Sequence, residues 1–136
     1  MVGRTESLDR QEKTMNEQTV RLTVQGRTLT VTLEQNSSSA ALLERLADSD
    51  LQIRMDDYGD MEKVGALGFS LPCNDHPTTT RPGDLILYQG NTLTLYYDTN
   101  QWNFTLLGRV DGVTSREQML DLLGDKGAVT VTLSRP

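Results

Sequence analysis

The sequence predicts a mostly β protein whose strands close into a barrel or pack as a sandwich. Apolar and polar residues alternate in several short segments, turn residues separate these segments, and only two segments have helical spacing. Alternating strands at this spacing favour closure, because closure removes the exposed edges of a sheet. The chain has 136 residues, a common size for one domain.

The first 18 residues are polar and show no hydrophobic periodicity. Such a segment cannot bury enough apolar surface to offset the entropy lost on ordering. We therefore predict a disordered tail over residues 1–18 and one domain over residues 19–136.

The domain begins with a predicted hairpin and a helix. Strict alternation over residues 19–24 and 28–33, on either side of Gln25-Gly26, predicts two antiparallel strands with one buried face. A cluster of possible N-caps precedes an apolar stripe at helical spacing, which predicts a helix over residues 38–47. Alternation over residues 51–55 predicts the third strand.

The middle of the chain is rich in glycine and proline. We expect short strands around Val64 and over residues 67–71. Residues 72–83 form a long connection in this interpretation, and long loops are often functional or mobile.

The second half contains another hairpin, over residues 85–88 and 92–97. Its first arm lacks alternation, which indicates burial on both faces. Residues 105–110 and 129–133 are predicted strands. Between them, Thr114 and Glu117 match a capping box and Gly124 marks a helix end.

Charge and composition exclude several classes of partner. The net charge is −6, and no cluster of lysines and arginines is visible, so we expect neither nucleic acid nor a membrane surface as partner. A single cysteine cannot form an internal disulfide. We expect a monomer without a cofactor, cytoplasmic or, if a leader was removed, periplasmic.

Two segments carry a resemblance to a known family. Residues 83–88 read Gly-Asp-Leu-Ile-Leu-Tyr, and residues 107–112 read Leu-Gly-Arg-Val-Asp-Gly before the second helix. With the Leu71-Pro72 segment, they are similar to a compact bacterial cyclophilin-like family. The resemblance spans residues 20–133 and implies a flattened barrel of eight strands with two helices capping its ends.

The sequence departs from active cyclophilins at their catalytic motifs. Neither Phe-His-Arg nor Phe-x-x-Gln-Gly-Gly-Asp occurs. Arg54 occupies a loosely similar place on the third strand, Tyr88 and Gln89 fall where cyclophilins have Ala-Asn, and Trp102 resembles a groove tryptophan. Prolyl isomerisation needs an arginine near the prolyl nitrogen, a hydrogen bond to the peptide oxygen and an apolar slot, all favouring the twisted amide.

The candidate binding residues are Trp102 and Phe104, which we place in a loop, with Tyr88 and Gln89 nearby. These aromatic side chains would line an apolar groove, or would alternatively cover the end of the barrel. Arg54 is a candidate catalytic residue, with an exposed strand arginine as the alternative.

Two further clusters have simpler explanations. Four carboxylates crowd residues 56–62, but their spacing does not match a calcium loop, so a solvated acidic turn is expected. Cys73 and His76 lie three residues apart, and the chain has no other histidine or cysteine with which to complete a zinc site.

The leading hypothesis is a cyclophilin-like binding module for a peptide or small ligand, without significant isomerase activity. One alternative is a prolyl isomerase with a rearranged active site that uses Arg54. Another, implied only by the resemblance, is an accessory domain of a flavodoxin-like redox partner.

Overall fold

The computed structural model of the chain describes residues 18–125 and 127–136. The predicted tail therefore lies outside the described residues except for Gln18, whose carbonyl accepts a hydrogen bond from the amide of Leu33. The described residues form nine strands and two helices: β1 (Thr19–Val24), β2 (Arg27–Leu33), α1 (Ser37–Asp48), β3 (Leu51–Tyr58), β4 (Glu62–Ala66), β5 (His76–Thr79), β6 (Asp84–Tyr88), β7 (Thr92–Tyr96), β8 (Gln101–Val110), α2 (Arg116–Leu123) and β9 (Val129–Ser134).

Eight of these strands close into an antiparallel barrel, which confirms the predicted fold class. The order β2-β1-β9-β3-β4-β7-β6-β8 returns to its start because β8 also pairs with β2. The ninth strand, β5, lies outside this ring and pairs with the first half of β8. None of the helices in the described residues is long and apolar enough to span a bilayer.

The barrel closes where two backbones approach closely. Gly108 of β8 pairs with Leu33 of β2, and a Cβ atom at Gly108 would lie 2.5 Å from the carbonyl oxygen of Thr32. No side chain fits at that distance, so the absence of a Cβ atom at this position allows β2 and β8 to pair.

Strand alternation sorts the side chains between the interior and the outer wall as predicted. On β9, Val131 is fully buried and Thr130 is exposed. On β6, all residues but the last are buried, because a second apolar cluster covers the outer wall there. That outer cluster is centred on Ile86, Tyr96 and Phe104 and is separate from the core inside the barrel.

Three local predictions are wrong. Residues 67–71 are not a strand, although Leu67 and Leu71 are buried. The predicted connection over residues 72–83 contains β5. Trp102 and Phe104 lie in β8 rather than in a loop. Strand β5 was missed because its sequence, His-Pro-Thr-Thr, has no apolar alternation and forms through pairing with β8.

The N-terminal cap of α2 also differs from the prediction. The cap is Ser115, whose side chain accepts from the amide of Gln118, and not Thr114 with Glu117. Gln118 Oε1 in turn accepts from the amide and the hydroxyl of Thr114. Consecutive Thr and Ser offer two possible caps, and the contacts of Gln118 select the second. The predicted end at Gly124 is confirmed, with a left-handed conformation there.

Candidate functional site

A groove of about 400 Å3 lies on the outer wall of the barrel, across β4, β7, β6 and the first half of β8. Five of the seven aromatic residues of the chain line it. They are Tyr58, Tyr88, Tyr96, Trp102 and Phe104. Aromatic residues are thus concentrated at a single place on the surface.

The floor of the groove is built from packed rings. Phe104 and Tyr96 are almost completely buried, and their ring centroids lie 5.7 Å apart at a tilt of 58°. Tyr88 meets Phe104 edge-on, with centroids 6.2 Å apart. These distances are those of favourable aromatic pairs, so the floor is preformed and does not depend on a ligand.

Trp102 forms an exposed wall of the groove. Its side chain lies on β8, and 64% of the residue is exposed. The pairing of Trp102 with Thr78 of β5 holds this part of β8 in an extended strand. The strand that the sequence did not predict therefore helps to position Trp102, which with Tyr58 is one of the two most exposed aromatic residues described.

Glu62 is the single charged residue among the described residues that line the groove. It is only 6% exposed, and burial raises its pKa from 4.5 to about 6. The hydroxyl of Tyr96, opposite Glu62 on β7, donates a hydrogen bond to the carboxylate and opposes this rise, while the nearby charge of Asp57 adds to it.

Tyr96 links Glu62 to the rim of the groove. Asn100 Nδ2 donates to the Tyr96 hydroxyl over 3.1 Å. Burial raises the pKa of Tyr96, so its hydroxyl stays protonated at neutral pH and remains a donor. Asn100, Tyr96 and Glu62 form a chain of hydrogen bonds that orients the carboxylate.

The structure brings together four residues that the sequence singled out. Trp102, Phe104, Tyr88 and Gln89 all line the groove. Arg54 is not among its lining residues: its side chain is 73% exposed on β3, with Nη2 3.8 Å from Asp56 Oδ1. The candidate catalytic residue is therefore separate from the four candidate binding residues.

Sequence reasoning missed Tyr96 and Asn100 as site residues and placed Glu62 only in an acidic turn. The signal for Tyr96 was present, because Thr92, Thr94 and Tyr96 alternate with apolar residues and so face the outer wall together. The signal for Glu62 was absent, because its burial depends on β4 pairing with β7.

The carboxylates of the acidic turn have separate roles. Asp57 Oδ1 accepts from the Tyr97 hydroxyl over 2.6 Å and lies 3.4 Å from the fully buried Nζ of Lys63. Asp60 pairs with Arg116 over 3.0 Å. Across the described ranges, no group of three or more Asp, Glu, His or Cys side chains is arranged to hold a metal ion.

The hydrogen bonds described for the segment from Cys73 to His76 do not join these two side chains to each other. Cys73 is exposed, and Nδ1 of His76 lies 3.2 Å from the carbonyl oxygen of Asn74. Asp75 accepts a hydrogen bond from Thr105 over 2.6 Å and is engaged there.

Comparison with known proteins identifies the family. A model of the cyclophilin-like family matches residues 22–134. The chain belongs to the cyclophilin-like family. No curated protein matches its sequence significantly.

A solved structure similar to this cyclophilin-like chain is the solution structure of the hypothetical protein AF2241 from Archaeoglobus fulgidus. The TM-score is 0.60 at 14% sequence identity, and the match covers 89% of this chain and 96% of that one. At this identity the likeness shows the shared fold alone.

Proposed function

We propose that the chain is a binding module whose outer groove holds a short peptide segment or a small molecule, without significant prolyl isomerase activity. The observation that carries this proposal is the exposure of Trp102 beside a packed aromatic floor. Large exposed aromatic side chains at a concave apolar surface are typical of binding sites.

The floor and the wall support this role in different ways. Phe104 is buried and stabilises the outer cluster whether or not a ligand is bound. Trp102 contributes little buried area to the free protein, so its exposed ring remains available to a ligand. A wholly structural role would favour burial of both side chains.

Intrinsic fluorescence tests the proposal directly, because Trp102 is the only tryptophan of the chain. A library of fragments and short peptides should yield ligands that shift this emission and the amide signals of Tyr88, Gln89 and Phe104. Trp102→Ala should weaken such ligands about tenfold or more and change the free energy of unfolding by less than about 1 kcal/mol.

The matched control is Gln101→Ala, which removes an exposed neighbour on β8 that does not line the groove. This variant should bind like the wild type. Ligand-induced shifts that cluster away from Trp102 would contradict the proposal and place the functional surface elsewhere.

A further inference from the structure

The aromatic groove contains one buried carboxylate, and this combination restricts what can bind there. Glu62 is 6% exposed, and no other described lining residue carries a charge. The Tyr96 hydroxyl is a neutral partner for it. Lys63, the next residue, points into the opposite face of the strand, towards Asp57 and the carbonyl of Gly127. The groove therefore has negative charge without a matching cation.

A ligand that covers the groove removes the remaining water from Glu62. A neutral apolar ligand would leave the carboxylate more deeply buried without a counter-charge, which costs free energy or forces protonation. An anionic ligand would add repulsion. A cationic ligand supplies the missing charge, and the surrounding rings also attract cations through their electron-rich faces.

We infer that the groove binds an organic ammonium cation, whose head group lies among Tyr88, Tyr96 and Trp102 with Glu62 as counter-charge. This inference rests on the proposed binding function and specifies the chemical class of its ligand. The net charge of −6 favours the approach of a cation over long range.

The affinity for a cation should depend on pH through Glu62. The titratable groups around it are Asp57 of β3, Tyr58 at the end of β3, Tyr88 of β6 and Tyr96 of β7. With the pKa of Glu62 at about 6, its carboxylate is mostly ionised near pH 7.5 and mostly protonated near pH 5. Cation binding should weaken several-fold over that interval.

The test compares choline with 3,3-dimethylbutan-1-ol, a neutral molecule of nearly the same shape, by titration of Trp102 fluorescence. Choline should bind about tenfold more tightly near pH 7.5, because only the cation gains from Glu62 and the rings. The ratio of the two affinities should fall towards one near pH 5, where Glu62 is mostly protonated. In Glu62→Gln the ratio should be close to one at both pH values.

Two controls separate folding from recognition. Glu44→Gln makes the same substitution at an exposed position of α1 outside the groove, and it should keep the preference for choline. Thermal unfolding of Glu62→Gln checks that the variant is folded. The pH dependence of the unmodified protein tests the inference without any variant.

The ammonium group could belong to a free small molecule or to a lysine side chain of a peptide. A second pair of probes, N-acetyl-lysine amide and N-acetyl-norleucine amide, distinguishes these sources. Preference for the cation in either pair supports the inference.

The inference is wrong if, in both pairs, the neutral molecule binds as tightly as the cation or more tightly while still perturbing Trp102. The groove would then still be a binding site, but not one for cations. If no probe perturbs Trp102 and library ligands bind elsewhere, both the inference and the proposed function are wrong.

Discussion

Arg109 Nε donates a hydrogen bond to Asp84 Oδ1 over 2.7 Å, and the Asp84 side chain is completely buried. The other carboxylate oxygen accepts from the backbone amide of Arg81 over 2.9 Å. These two residues come from the two segments, 83–88 and 107–112, that resemble the cyclophilin-like family. They face each other in the pairing of β6 with β8. The two family segments are therefore joined by an ion pair with a buried carboxylate, which links β6 to β8.

Removal of the Asp84–Arg109 ion pair should destabilise the barrel. Asp84→Ala leaves the amide of Arg81 and the guanidinium of Arg109 without their carboxylate, and we expect a loss of about 2–4 kcal/mol in the free energy of unfolding. Urea denaturation measures it. The control is Asp121→Ala, which breaks an exposed ion pair with Arg27 and should cost less than about 1 kcal/mol. Similar losses of stability in both variants would show that the buried Asp84 stabilises the barrel no more than an exposed ion pair does.

The pairing of β2 with β8, which closes the barrel, should not tolerate a side chain at Gly108. In Gly108→Ala the new methyl group would meet the carbonyl oxygen of Thr32, so the strands must separate at a cost of about 1–3 kcal/mol or more. The backbone amides of the paired residues of β2 and β8 should then exchange their hydrogens faster than in the wild type. Gly127→Ala is the matched control, because its added Cβ meets no described atom within 4 Å beyond its neighbours in the chain. Unchanged exchange in Gly108→Ala would contradict the closure described above.

The raised pKa of Glu62 should appear in the pH dependence of stability. The folded state holds the proton of Glu62 more tightly than the unfolded state, so this stabilisation is complete below about pH 4.5 and is lost as pH rises through about 6. A shift from 4.5 to about 6 corresponds to a loss of up to about 2 kcal/mol.

The measurement is the difference between the wild type and Glu62→Gln in urea denaturation from about pH 4 to about pH 7.5. Taking the difference cancels the contributions of the other carboxylates. Glu62→Gln should gain stability relative to the wild type as the pH rises. Parallel pH profiles would show that Glu62 titrates normally.

Prolyl isomerisation should be slow or absent. Arg54 is not among the residues that line the groove, and displacement of a catalytic group by even about 1 Å can cost a hundredfold in rate. Exchange spectroscopy on a proline-containing peptide should therefore show little acceleration, and Arg54→Ala should match the wild type. Robust activity that disappears in Arg54→Ala would replace the binding-module proposal with an enzyme.

Much of the local structure could be predicted because it depends on local pattern. Alternation over residues 19–33 specifies both strands of the first hairpin, since a strand with one buried face must place apolar residues at every second position. The helical stripe and the nearby caps specify α1, and Gly124 specifies the end of α2. The resemblance to cyclophilins also singled out Tyr88, Gln89 and Trp102, and the alternation of Phe104 with Trp102 added the fourth candidate.

By itself, then, the sequence determined the mostly β class, the faces of the strongly alternating strands and the motifs of the family. Only the tertiary structure decided that β5 forms on β8, that β2 and β8 close the ring, and that Glu62 of β4 lies opposite Tyr96 of β7. The physical reason is that alternation fixes which side of a strand is buried, whereas strand partners are selected by packing and hydrogen bonding between segments far apart in the chain. The burial of the Glu62 carboxylate among aromatic rings exists only after that selection.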